Sequence, residues 1–259
     1  MLSPTTYVLA GLVLFALLVL AHLVGFRVAR CGRARADEGE RSEASTLQGG
    51  MLALLGLLLG FTFAAASQRF DARKQLVLDE ANAIGTAYLR ATAVPGGEEV
   101  AELLRRYVDV RLEGAASARN PEDFRRAVGE SERLHDAMWS RAAALARANP
   151  DPLRTLLLVA VNEVIDLHEK RLTAMRNHVP TIILVLLLVV SVLTMASLGH
   201  AAGASGGRGG MLSTALTFAM LVTVVIMVVV DLDRPERGLI RVSQQSLQTL
   251  RDGLHRGER

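Results

Sequence analysis

The chain has 259 residues, 51% of them hydrophobic but only 4% aromatic, and a net charge of +3. So small an excess offers no basic face for nucleic acid. The single cysteine, Cys31, excludes an internal disulfide or a Cys-x-x-Cys metal site. The apolar residues do not follow the amphipathic spacing of a soluble protein but gather in four blocks without Asp, Glu, Lys or Arg, 7–26, 51–67, 181–198 and 211–230.

Each block holds about 17–20 residues, which at ~1.5 Å per residue approaches the ~30 Å hydrocarbon core of a bilayer. They predict four transmembrane helices; the alternation that a membrane barrel strand needs is missing. The first block is expected to stay as a permanent span. No positive charge precedes it in Met1–Thr6, and Arg27 and Arg30 follow it where a cleavage site would carry small residues.

Residues 27–50, rich in Arg, Glu, Gly and Ser, are expected to form a polar connector. The second span contains Gly56, Gly60 and Ala64, small residues four apart, which make a smooth ridge for close helix packing. Residues 68–180 then form a neutral segment with 17 basic and 17 acidic side chains. Helix breakers divide it into Asp71–Ala93, Glu98–Ala118, a third helix to about Ala148 and a fourth over Pro152–His178. Asn120 is the expected N-cap of the third helix, with Pro121 at its first position. Each piece has a helical apolar stripe: Val77, Ala81, Ile84 and Tyr88 in the first, Val100, Leu103, Leu104 and Tyr107 in the second, and Leu157, Val161, Val164, Ile165 and Leu172 in the fourth. Short connections between amphipathic helices predict an antiparallel four-helix bundle inserted between spans two and three. No breaker separates span two from Asp71, so one helix can run through both; Pro180 predicts a kink before span three. The Gly-rich segment 199–210 reads as a linker between spans three and four. Residues 231–259 read as a polar C-terminal tail.

Four spans put both termini and the bundle on one side of the membrane. The connectors on the other side carry Arg27, Arg30, Arg33, Arg35, Arg41 and Arg208. The opposite side also has flanking charge, including Arg69, Arg73, Lys74, Lys170, Arg171, Arg176, Arg234, Arg237 and Arg241. Because the first span often dominates orientation, the expectation is cytoplasmic connectors, with the bundle and termini extracytoplasmic.

No acid or base lies deep in a span, and His22 is near the end of the first, which disfavours a proton pump or an ion-coupled transporter. His168-Glu169 begins like a zinc-protease helix motif, but Leu172 stands where the second histidine would be. His168 falls on the stripe of Val161, Ile165 and Leu172, which predicts a packed, hydrogen-bonded histidine. Asn162, Asp166 and Lys170 lie four apart on a polar face. No triad, nucleotide loop or carboxylate pair is evident, so neither catalytic nor metal residues nor cofactors are expected. Glu80, at the edge of the first bundle stripe, and Arg171, near the end of the fourth helix, lie at matching heights, which allows a partly buried contact between them; two separately solvated charges are the alternative.

Three segments carry a family likeness: GFTFAAASQRFDARKQLVLDEANAIGTAYLRA after span two, VNEVIDLHEKRL before span three and DLDRPERGLIRVS after span four. In their order and placement, from about Leu47 to Leu250, the chain resembles the bacterial bestrophin-like membrane proteins. The resemblance singles out Glu80-Ala81, Tyr88 to Arg90, Asn162, Arg171 and Asp233-Arg234-Pro235. It implies a distant likeness to bestrophins, oligomeric anion channels with four-span subunits. The first expectation is a non-enzymatic membrane scaffold or sensing module, whose bundle would need a separate protein partner to signal. The alternative is a homo-oligomeric, bestrophin-like ion channel. In either case the lipid bilayer is a partner.

Overall fold

A computed structural model describes residues 4–31, 38–117, 120–204, 210–234 and 240–256. Among them the chain is helical: α1 (Pro4–Cys31), α2 (Glu38–Ala93), α3 (Glu98–Ala116), α4 (Pro121–Ala148), α5 (Pro152–Arg176), α6 (Thr181–Ala204), α7 (Gly210–Asp233) and α8 (Gln245–Arg256). Four stretches are long and apolar enough to cross a membrane, in α1, α2, α6 and α7. The helices extend into the expected connectors, since α2 starts at Glu38 and α6 continues to Ala204. Arg33, Arg35, Arg208, Pro235 and Arg237 lie outside the described residues, as does the linker core 205–209.

The chain divides into two compact units, one of residues 1–69 and 178–240, the other of residues 70–177 and 241–259. In the first unit α1 packs along α6 and α7. Leu18, Ala21, Leu55, Leu187, Met195, Ala219 and Val222 form its small core. Leu9, Leu12 and Val13 of α1 and Ile182, Val185 and Leu193 of α6 are exposed in the isolated chain, as suits a surface covered by lipid. Three hydroxyls in these helices bond back to their own backbone: Thr62 to the Leu58 carbonyl at 2.6 Å, Ser191 to Leu187 at 2.7 Å and Thr223 to Ala219 at 2.8 Å. Each leaves no unsatisfied polar atom for hydrocarbon.

The close helix approach in this unit differs from the expected one. A Cβ on Gly56 or Gly60 would meet nothing within 4 Å, and Ala64 is also exposed. Among the described residues the ridge therefore meets no other helix of its own chain, because α2 turns that face outward. The tight crossing is instead α1 on α6. A Cβ on Gly199 would lie 1.9 Å from the His22 carbonyl oxygen, and one on Gly25 would lie 2.0 Å from that of Ala196. At Gly203, four residues after Gly199, a Cβ would lie 2.5 Å from the Phe26 carbonyl oxygen. Only glycine lets the two backbones touch here.

The second unit contains the C-terminal part of α2 with α3, α4, α5 and α8. Its core includes Val77, Ile84, Val100, Leu104, Tyr107, Met138, Leu157 and Val164. Helix starts follow local chemistry. The Asn120 side chain accepts from Glu122 N at 3.1 Å and Asp151 accepts from Leu153 N at 3.1 Å, each with proline next in sequence. At the turn after α2, Gly96 has φ +83°, a conformation that glycine adopts without steric cost. Arg73 is buried and closes the end of α5, donating to the carbonyls of Ala174 at 3.0 Å and Asn177 at 2.7 Å. The expected kink at Pro180 is a full break over 177–180, since proline disfavours helical geometry in the residue before it. The tail, expected to be merely polar, contains α8, whose Leu247 and Leu254 are buried in the core of the second unit.

Candidate functional site

The most chemically loaded place in the chain is a polar cluster inside the second unit, centred on Glu80. The carboxylate is fully buried and lies on α2 between the core residues Val77 and Ile84. α3 brings Tyr107 and Arg111, four apart and therefore on one face. Tyr107 donates to Glu80 Oε1 at 2.8 Å, and Arg111 Nε donates to the same oxygen at 2.9 Å. α5 brings Arg171, whose guanidinium donates to Glu80 Oε2. Its other terminal nitrogen donates to Gln244 at 3.1 Å, just before α8. Tyr107 also meets His168 Nδ1 at 3.1 Å. His135 of α4 completes the group, its ring 4.9 Å from Tyr107 and 4.8 Å, edge-on, from His168.

The electrostatics follow from burial and the two arginines. Burial works to raise the Glu80 pKa, but Arg111 and Arg171, with the hydrogen bonds from Arg171 and Tyr107, hold it down at about 2. Burial, with the neighbouring Glu80 charge, pushes the Tyr107 phenol well above its ordinary value. Burial and then Arg111 lower His135 to about 4; the same two causes, with His135, lower His168 to about 3. The cluster at neutral pH is thus one carboxylate, two guanidinium groups and two neutral imidazoles.

The expected Glu80–Arg171 contact is present, though more deeply buried than expected, and His168 is packed and hydrogen-bonded. Two members were not anticipated as a site. Arg111 interrupts the α3 stripe one turn after Tyr107, and His135 lies on the buried α4 face of Ser131, Met138 and Ala142. A charge or imidazole on an apolar face was the available signal. Asn162 is elsewhere, exposed and donating to Asp166 at 3.1 Å. Tyr88 and Arg90 are also outside the cluster: Tyr88 accepts from Arg105 at 2.6 Å and Arg90 donates to the Leu156 carbonyl at 2.9 Å. In the first unit, Asp233 is buried and accepts from Val179 N at 2.8 Å, bracing the start of α6, with His178 beside it at 3.3 Å. Arg234 is exposed. Among the described residues no group of three or more His, Cys, Asp or Glu side chains is placed to hold a metal.

The family of the bestrophin-like domain matches residues 12–247. No curated protein matches the sequence significantly. Solved crystal structures do resemble it: single-substitution variants of a bacterial bestrophin homologue from Klebsiella pneumoniae. One aligns with TM-score 0.69 at 15% identity, covering 93% of this chain and 96% of that one. A second gives 0.68 at 15%, covering 96% and 98%. A third gives 0.69 at 15%, covering 95% and 97%. At that identity the likeness establishes a shared fold. The family match spans nearly the whole sequence and takes in three of the apolar helices and most of the first, so this chain is a membrane protein that belongs to the bestrophin-like family.

Proposed function

We propose that the chain is the subunit of a homo-oligomeric, bestrophin-like ion channel. The observation that carries this reading is the match in family and fold along nearly the entire chain, since bestrophins are oligomeric channels with four-span subunits. It displaces the scaffold or sensing module as the leading reading, because no specific feature favours a separate output partner. An enzyme is disfavoured because the Glu80 carboxylate and both guanidinium groups are engaged with one another, which leaves none of the cluster's ionised groups free for catalysis. Glu80, Arg111 and Arg171 would then hold the structural core of the second unit. Purified protein in liposomes should give a salt-dependent current or ion flux, and protein-free vesicles should not. Assembled, correctly folded protein that conducts no ion would refute the channel.

The outward ridge of Gly56, Gly60 and Ala64 is the surface proposed to meet a neighbouring subunit. Gly60→Leu should reduce oligomer size in detergent while leaving the subunit fold intact; an unchanged oligomer would place the ridge against lipid. For orientation, the first-connector arginines support cytoplasmic connectors in a bacterial inner membrane, with an extramembrane bundle and both termini outside. A reporter fused after Arg259 should then be extracytoplasmic and one inserted near Glu43 cytoplasmic. The reverse at both positions would give the bestrophin layout, with the large domain in the cytoplasm.

A further inference from the structure

The hydrogen-bond chain around Glu80 fixes where the protons are. An ionised carboxylate can only accept, so Tyr107 donates its single hydroxyl proton to Glu80. The Tyr107 oxygen must then accept from His168, which puts the imidazole proton on Nδ1. His168 Nε2 is left as a bare lone pair, fully buried and without a hydrogen-bond partner. Nε2 of His135, on the ring packed edge-on against it, is likewise buried and unpartnered. The groups acting on His168 are Arg111 from α3, His135 from α4, Glu80 from α2 and Arg171 from its own helix; Tyr107 bonds it directly. Asp136 acts on His135. Two guanidinium groups face one carboxylate, so the cluster already has one surplus positive charge.

We propose that the buried Tyr107–His168–His135 cluster is an acid-triggered device: protonation at His168 Nε2, joined by His135, adds surplus positive charge beside Arg111 and Arg171 and opens the packing of the helical unit. The entering proton has no carboxylate of its own to pair with, because both oxygens of Glu80 are committed to the arginines and Tyr107. Opening lets the imidazoles reach water, where they hold the proton at their ordinary 6.5. Both folded-state values lie below 6.5, so closure is favoured above pH 6.5 and is lost as pH falls towards them. This device does not depend on whether the chain conducts ions.

The test uses the full chain in detergent, comparing wild type, His168→Gln, His135→Gln and the double variant. Backbone hydrogen exchange over residues 70–177 would be followed from pH 7.5 to 4.5, after correction for intrinsic exchange. A glutamine at 168 can still donate to Tyr107 but cannot take up a proton. A histidine moving from about 3 when closed to 6.5 when open shifts the opening equilibrium by about 100-fold between these pH values. Wild type should lose protection by about that factor or more, and the double variant should lose far less. Equal acid sensitivity in both would overturn the proposal. Should the variants fail to fold, histidine C2-hydrogen exchange in wild type decides. His168 titrating near 6.5 with the helices still protected refutes the device; an uncharged His168 until the unit opens supports it.

Discussion

Replacing Glu80 by glutamine keeps the volume and removes the charge that two buried arginines share. Arg111 and Arg171 would then face each other with no counter-ion, at 7% and 8% exposure. Removing one partner of a buried ion pair costs about 3–5 kcal/mol. The carboxyl pKa gives an independent size: a fall from 4.5 to about 2 corresponds to about 3 kcal/mol at ~1.4 kcal/mol per pKa unit. The expected loss for Glu80→Gln is therefore about 3 kcal/mol or more. Arg171→Gln should cost a similar amount, and the double variant less than the sum by over ~1 kcal/mol, because the second change removes a charge already stranded. Unfolding of the four proteins in mild detergent measures this cycle. The depressed pKa also sets its pH dependence: the Glu80 contribution is complete above pH 4.5 and disappears as pH falls towards 2. Single losses below ~1 kcal/mol that simply add would show that the carboxylate and the guanidinium groups are solvated and that the buried network is wrong.

Three further outcomes are expected. Gly199→Leu should lower the melting temperature sharply, or abolish folding, because its side chain must displace the His22 backbone; Gly56→Leu should leave the subunit's own stability within ~0.5 kcal/mol, and comparable losses would reverse the assignment of the two surfaces. Asp151→Ala removes the acceptor for Leu153 N and should cost about 1 kcal/mol in thermal unfolding; an undetectable change would mean that water caps α5 equally well. Leu247→Ala should destabilise the second unit by about 2–5 kcal/mol and raise hydrogen exchange along α8; unaltered exchange would mean that the tail does not dock.

The sequence alone determined the features that depend on neighbours along the chain. Uncharged blocks of bilayer length made α1, α2, α6 and α7 legible, since a span must be apolar throughout its length. The helix ends near Ala93 and Ala148 and the start at Asn120-Pro121 were legible because proline and capping side chains act within a few residues of themselves. Glu80 and Arg171 were singled out by the family resemblance, and helical phase and height made their contact possible. Tertiary structure decided what depends on rotation and on partners distant in sequence. Gly56-Leu-Leu-Leu-Gly60 and the pair Gly199, Gly203 have the same small-residue spacing, and only the packing of α1 on α6 shows which one is buried. Arg111 and His135 were hidden for a related reason: a polar residue on an apolar stripe is readable, but its partner is not, because the carboxylate that balances it lies on another helix. The polar tail concealed α8 because two leucines at 247 and 254 become a core face only when a groove exists to receive them.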